Sequence, residues 1–162
     1  MKNATKALFN DAAAILKLQK LAFQSEAEFY DDFDIPPLTQ TLDELISDFA
    51  YKVFLKVEIQ DKIVGSVRGY QIGNTCHIER LIVHPDYQGK GIGTALMEQV
   101  ELCFDKAQRF ELFTGYKSER NINLYERLGY KIFKSEEVNK KLSFVFMEKQ
   151  KLCESNNYLN VI

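Results

Sequence analysis

The stretch that decides the fold reads Cys76-His77-Ile78-Glu79-Arg80-Leu81-Ile82-Val83, then His84-Pro85-Asp86-Tyr87, then Gln88-Gly89-Lys90-Gly91-Ile92-Gly93-Thr94. An apolar strand feeds a glycine-rich turn, and the turn opens a helix with Ile92, Ala95, Leu96, Val100, Cys103, Phe104 and Ala107 at helical spacing. Glycine lets main chain come close to a ligand, and the first amides of a helix carry partial positive charge without an intrahelical partner. Strand, turn and helix in that order make an anion cradle suited to a phosphate or pyrophosphate. Gly93 is followed by Thr94 with no Gly-Lys-Ser/Thr ending, which disfavours a Walker-type loop. The spacing of Gly89, Gly91 and Gly93 also fails the Gly-x-Gly-x-x-Gly dinucleotide pattern.

Outward from this stretch the hydrophobic period alternates between two and 3.6. Asn10 or Asp11 is placed to cap a first helix running to about Phe29, with Ile15, Leu18 and Ala22 on one face. Asp31 to Gln40, with Pro36-Pro37, breaks the helical pattern. Thr41-Leu42-Asp43-Glu44 is a capping box that opens a short helix with Leu42, Leu45, Ile46 and Phe49 as its apolar side. Val53, Leu55, Val57 and Ile59 then alternate as a half-buried strand. Gln60-Asp61-Lys62 turns into a strand from Ile63 to Gln71, and Gly73-Asn74 turns into the strand ending at Val83. After the long helix come a strand at Phe110 to Thr114, a helix from Glu119 to Leu128 stopped by Gly129, and strands at Tyr130 to Lys134 and Leu142 to Met147. The expected fold is α/β, a mixed and mostly antiparallel central sheet with helices on both faces.

Composition bounds the function. A chain of 162 residues, 46% hydrophobic, holds one well-formed core, expected over residues 1–150, with 151–162 as a C-terminal extension. That extension is apolar at Leu152, Tyr158, Leu159, Val161 and Ile162, and both docking on another subunit as a homodimer and fraying stay open. A net charge of −2 without a Lys/Arg stripe argues against nucleic acid as partner. No run of about 18 apolar residues and no signal-peptide core occurs, so no membrane partner is expected and the expected location is the cytoplasm. Cys76, Cys103 and Cys153 are odd in number and widely spaced, which fits neither a disulfide framework nor a zinc knuckle, and Cys76 and Cys103 are expected as buried thiols. Two histidines and scattered carboxylates show no metal-ligand spacing, so no metal is expected.

Gln88, Gly91 and Gly93 carry the Gln/Arg-x-x-Gly-x-Gly/Ala pattern of the GCN5-related N-acetyltransferases, and the chain resembles that superfamily. The resemblance extends upstream through Glu79 to Tyr87 and downstream to Asn123-Leu124-Tyr125-Glu126-Arg127-Leu128-Gly129-Tyr130, covering about Lys52 to Lys149. It implies acetyl-CoA as co-substrate, with the pyrophosphate on Gln88, Gly89, Lys90, Gly91, Ile92, Gly93 and Thr94. The pantetheine arm would lie along Leu81, Ile82 and Val83, whose strand splays from its neighbour, and an amide near Val83 would meet the acetyl carbonyl. Lys90 is equally readable as a phosphate contact and as a solvated lysine. Many relatives place an asparagine seven residues before the tyrosine; Ser118 stands there, as a coenzyme contact or only a helix N-cap.

For chemistry the resemblance implies Tyr125 as the acid that protonates the leaving thiolate. A hydroxyl of pKa roughly 10 stays protonated while a thiol of about 8.5 departs. Ile122, Tyr125 and Leu128 lie at helical spacing, so Tyr125 is also readable as core. Glu79 shares a strand face with Leu81 and is the candidate base, acting through water, or an ion-paired strand residue beside Arg80. His77 is on the same face and His84 follows the strand; both are read as surface or turn histidines. By the same resemblance, Gln24 to Gln40 walls the acceptor pocket, and its acidic and aromatic side chains Glu28, Tyr30 and Asp31 would bind a cationic amine or a peptide N-terminus. The function expected is transfer of an acetyl group from acetyl-CoA to a primary amine. A catalytically silent coenzyme A-binding module, and an interaction domain with an incidental glycine turn, are the alternatives.

Overall fold

The computed structural model describes residues 3–152. Seven strands form one sheet in the order β1-β2-β3-β4-β5-β7-β6. They are β1 (Ala4–Lys6), β2 (Val53–Ile59), β3 (Lys62–Ile72), β4 (Thr75–Val83), β5 (Arg109–Gly115), β6 (Lys131–Glu137) and β7 (Ser143–Gln150). Every pairing is antiparallel except β4 with β5. The helices are α1 (Ala12–Tyr30), α2 (Pro36–Thr39), α3 (Leu42–Asp48), α4 (Ile92–Cys103) and α5 (Glu119–Arg127). The expected mixed, mostly antiparallel sheet with helices on both faces is what forms.

The parallel pair governs the site. β4 and β5 stay in register only at Thr75, Cys76 and His77 against Arg109, Phe110 and Glu111, and beyond these three pairs they part. On its other edge β4 follows β3 to its end, but slips register between Ser66 and Arg68. The slip is a bulge, and Arg80 sits in it with φ of 54°. A left-handed conformation at a non-glycine residue is sterically costly, so the bulge is held by its surroundings.

Two clusters hold the layers. Under α4 the core gathers Val64, Val67, Cys76, Ile78, Ile92, Leu96, Met97, Val100 and Tyr125. On the opposite face α1 and α3 cover Phe54 with Ala12, Ile15 and Leu45. Each such side chain contributes roughly 1.5–3 kcal/mol of burial free energy at most. Helix α4 lies close to β3 because Gly65 has no side chain: a Cβ there meets Ile92 Cγ2 at 2.6 Å and Leu96 Cδ1 at 3.0 Å. Gly65 thus sets the height of the first turn of α4, and with it the glycine loop.

Several expectations are corrected. Cys76 is buried but Cys103 is exposed, because α4 stops at Cys103 instead of continuing to Ala107. Cys153 lies outside the described residues. Within Asp31–Gln40 the prolines do not abolish helix but start one, since Pro36 at the first turn lacks only an amide that needs no partner there. In α3 the capping box forms, with Glu44 N–H donating to Thr41 Oγ1 at 3.2 Å and Thr41 N–H to Glu44 Oε2 at 2.8 Å. Leu45 is fully buried and Phe49 stacks on Phe54 at 3.9 Å, while Leu42 and Ile46 are each 39% exposed, so two of the four expected residues anchor that helix. Asp11 takes the N-cap position of α1 but caps nothing; its carboxylate accepts from Leu8 N–H at 2.9 Å and pairs with Lys56 Nζ at 3.0 Å. Strand β1 is unanticipated, and β7 runs on to Gln150.

Because Gly65 admits α4, Gly65→Ala is expected to destabilise the protein by about 1–3 kcal/mol through overpacking against Ile92 and Leu96. Urea unfolding checks this; an unchanged midpoint contradicts the close approach.

Candidate active site

The glycine loop has the geometry of an anion receptor. Gly89 and Gly91 adopt φ of 72° and 79°, and an added Cβ would meet nothing within 4 Å at either position, so this backbone faces open space. The first helical bond of α4 runs from Ala95 N–H to Gly91 O at 3.1 Å. Among the described residues, none of the amides from Gly89 to Thr94 donates to another main-chain group. Six consecutive N–H groups at a helix start, where the macrodipole is positive, fit a pyrophosphate. The residues present therefore suit the coenzyme that the loop implies.

Helix α5 braces the cradle from one side. Gly93 packs against Leu124, whose Cδ2 lies 3.3 Å from where a Cβ would stand. The Arg120 guanidinium donates to Gln88 Oε1, which brings a second cation to a loop that already carries Lys90. Lys90 Nζ lies 5.2 Å from the centre of the Tyr87 ring. Arg120 escaped the sequence reading because it stands 32 residues from Gln88, and only the packing of α5 beside the loop brings the two together.

Val83 leads from the loop into the gap between β4 and β5. His84 N–H donates to Val64 O at 2.8 Å, so strand alternation turns the main chain of Val83, and of Leu81, away from β3 and toward β5. Ile82 is buried, and Leu81 and Val83 are half-buried beside the same core. In this gap a cavity of about 30 Å³, large enough for a water molecule, is lined by Tyr70, His77, Ile78, Glu79, Glu111, Leu112 and Phe113. His77 stacks on Tyr70 at 5.1 Å, and its Nδ1 lies 3.0 Å from Glu111 Oε2. Glu111 and Phe113 were missed because only the parallel register carries β5 to this point, and Tyr70 because only the antiparallel register of β3 sets it opposite His77.

Glu79 lines the cavity and is not free. Lys52 Nζ donates to its Oε1, and Arg68 Nε lies 3.4 Å from the same oxygen. Asp48 joins through Arg68 Nη1 at 3.5 Å and Lys52 Nζ at 3.6 Å. Tyr125 is 5% exposed, its ring 6.0 Å from that of Tyr130, so it is part of the core as well as of the α5 face beside the loop. Burial, with a smaller push from Glu26, raises its pKa above 10.

Other candidates serve as braces. Ser118 occupies the N-cap position of α5 without a capping bond; its hydroxyl donates to Glu26 Oε1 at 2.6 Å. Tyr30 is 4% exposed, and its hydroxyl accepts from Lys117 N–H at 2.9 Å while filling the space over Gly115. The end of α1 thereby clamps the turn from β5 into α5. Asp31 ends α1 in the left-handed region and pairs with Lys141 Nζ at 3.0 Å, and Glu28 is exposed. Neither Glu28, Tyr30 nor Asp31 lines the cavity between β4 and β5. Among the described residues no group of three His, Cys, Asp or Glu is placed to hold a metal, and no helix is long and apolar enough to cross a membrane.

Comparison with known proteins agrees with this geometry. The family model described as "Acetyltransferase (GNAT) family" matches residues 13–130. The acetyltransferase SG1711 of Sodalis glossinidius (strain morsitans) is 33% identical over 82 residues, 49% of this chain and 58% of that protein, so the chain spans less than two thirds of such a relative. Among solved structures, the PaiA N-acetyltransferase of Thermoplasma acidophilum, in complex with coenzyme A, superposes with a TM-score of 0.76 at 16% identity, over 93% of this chain and 99% of that one. The ribosomal-protein-S18-alanine N-acetyltransferase of Escherichia coli gives 0.77 at 17% identity, over 98% and 99%. At such identities these likenesses speak for the fold, whereas the family match spans the loop, the parted strands and α5: the chain belongs to the acetyltransferase (GNAT) family.

Proposed function

We propose that the protein transfers an acetyl group from acetyl-CoA to a primary amine, on a small molecule or a peptide N-terminus, by direct attack of the amine on the thioester. The observation that carries this is the run of undonated amides from Gly89 to Thr94 beside the main chain of Val83, which faces an open gap. When bound, acetyl-CoA supplies the activated acetyl group. The loop amides, with Lys90 and Arg120, hold its pyrophosphate, and Ser118 lies at the same end of α5 as Arg120. Leu81, Ile82 and Val83 align the pantetheine arm, and the Val83 amide polarises the acetyl carbonyl. A fixed donor of that kind is worth roughly 2.7–4 kcal/mol in a transition state.

Glu79 takes a proton from the acceptor's ammonium group through a water in the cavity, which leaves the neutral amine to attack, while Lys52 and Arg68 keep its carboxylate in place. Tyr125 returns a proton to the departing thiolate. Its raised pKa keeps the hydroxyl protonated across the working range, which an acid requires. Glu28, exposed at the end of α1, favours the approach of an ammonium group.

Tyr125→Phe is expected to lower kcat about 10²- to 10⁴-fold with little change in acetyl-CoA affinity. Thiol-release kinetics check it, and an unchanged kcat removes Tyr125 from the chemistry. Because an acid must be protonated and this hydroxyl titrates above 10, kcat of the parent is expected not to fall on its account below pH 10. Gly91→Ala forces a side chain into the left-handed region at a cost of roughly 1–2 kcal/mol and is expected to weaken acetyl-CoA binding. In thermal unfolding, acetyl-CoA at 100 times its Kd is expected to stabilise the parent by about 2.7 kcal/mol. Absence of any shift at high ligand contradicts the proposed function.

A further inference from the structure

Among the described residues, strands β5 and β7 are packed on one face only. Leu112, Val145 and Met147 are buried, Leu112 and Met147 in the cluster under α4. Strand alternation sends their neighbours to the other face, where the register sets Glu111 opposite Glu148, Phe113 opposite Phe146 and Gly115 opposite Phe144. A solvated sheet face is ordinarily polar, and this one is aromatic. The Phe113 ring centre lies 4.9 Å from that of Phe144 and 5.3 Å from that of Phe146, and Phe133 of β6 continues the row at 6.4 Å from Phe146. Phe113 is 47% exposed, Phe144 and Phe146 are half-buried, and neither core cluster includes any of these rings. An apolar patch of this kind on a sheet marks a surface that binds something.

The cavity between β4 and β5 opens onto this face. Of the residues that line it, Phe113 alone is exposed; Tyr70, His77, Glu79 and Glu111 are half-buried, and Ile78 and Leu112 are buried. The Phe113 ring is thus both the outer wall of the cavity and the near edge of the aromatic face. At about 30 Å³ the cavity has room for water or an amino group and not for the body of an acceptor. That body has to lie outside, against the exposed wall. Glu111 and Phe113 stand two residues apart on one strand face, about 7 Å along the strand. Glu111 and Glu148 share the one Arg109 guanidinium, through Nη2 at 3.1 Å and Nε at 2.6 Å, so the acidic side of the strip keeps a carboxylate in excess. Acid beside stacked rings at this spacing is complementary to a primary amine that carries an apolar group a few bonds from its nitrogen. A polycation fits it less well. Lys134 Nζ already lies 4.3 Å from the centre of the Phe146 ring, and the Arg109 guanidinium 5.0 Å from that of Phe133, so the protein's own cations hold those positions and repel another.

We propose that the rings of Phe113 and Phe144 form the acceptor subsite, and that the amine acetylated here carries an aromatic or large aliphatic group beside its nitrogen. The inference rests on the acetyl-transfer function and narrows its acceptor: the nitrogen enters the cavity at Glu79, and the apolar group lies on the Phe113 ring. It accounts for an exposed phenylalanine at the mouth of a polar cavity.

The test is thiol release from acetyl-CoA with phenethylamine, propylamine and spermidine, and with two peptide amides that begin with phenylalanine and with glycine. The proteins compared are the parent, Phe113→Ser, Phe144→Ser and, from the far end of the row, Phe133→Ser. In the parent, phenethylamine is expected to exceed propylamine in kcat/KM, or the phenylalanine peptide its glycine counterpart, by about tenfold or more. Whichever pair shows the preference tells a small amine from a peptide N-terminus as the source of the same chemistry. Phe113→Ser and Phe144→Ser are expected to bring that ratio near one, and Phe133→Ser to keep it. Spermidine used as well as the aromatic compounds, no preference within either pair, or a ratio that survives both Phe113→Ser and Phe144→Ser overturns the subsite. So does a parent dimer in sedimentation that Phe113→Ser and Phe133→Ser alike turn into monomer, because a second copy then covers the face. Stabilisation of each variant by acetyl-CoA reports that its fold and coenzyme loop are intact. Thermal unfolding gives a readout without turnover: phenethylamine or the phenylalanine peptide is expected to raise the midpoint of the parent and not of Phe113→Ser. That shift without any thiol release contradicts acetyl transfer and leaves the subsite standing, whereas no shift and no turnover overturns the subsite.

Discussion

The separation of β4 from β5 after His77 and Glu111 is the constraint on which the rest depends. A sheet that stayed paired here would spend the Leu81 and Val83 main chain on a neighbouring strand. Once the strands part, those groups face a gap, and unpaired peptide groups at the edge of a core are costly unless a ligand or water completes them. The bulge at Arg80 lets β4 keep its ladder with β3 while shifting the phase of the strand that enters the gap. The gap, its cavity and the carboxylates facing it follow from this one local failure of pairing.

The surrounding elements hold the gap in shape. Gly65 lets α4 settle on β3, which fixes where the amides of Gly89 to Thr94 point. Helix α5 supports the same loop through Leu124 and Arg120 and carries Tyr125 beside it. Glu26 and Tyr30 tie the start of α5 to the end of α1. The proposed pyrophosphate receptor, the proposed acyl channel and the candidate acid are thus parts of one packed unit, and little rearrangement is needed to align them.

Much of this was legible in the sequence because it is local. The glycine spacing, the Thr41 capping box and the alternation of Val53 to Ile59 each act over a few residues, and each appears where expected. Strand β1 was not legible, since its three residues gain their conformation only by pairing with Leu55 to Val57. The helical spacing of Cys103 suggested burial, but α4 ends there and leaves it in solvent. Glu79 was found as a candidate, whereas its partners Lys52 and Arg68, and the cavity residues Tyr70 and Glu111, needed the register of three strands. Tyr30 resembled a pocket residue by composition; only the structure showed its hydroxyl committed to Lys117.

Amide hydrogen exchange, residue by residue, with and without acetyl-CoA, tests the central claim most directly. Selective protection of the amides from Gly89 to Thr94 and of Val83 on adding the ligand is the expected result. Exchange at these positions that acetyl-CoA leaves unchanged, while it slows elsewhere or nowhere, would contradict a coenzyme held by the loop and the parted strand.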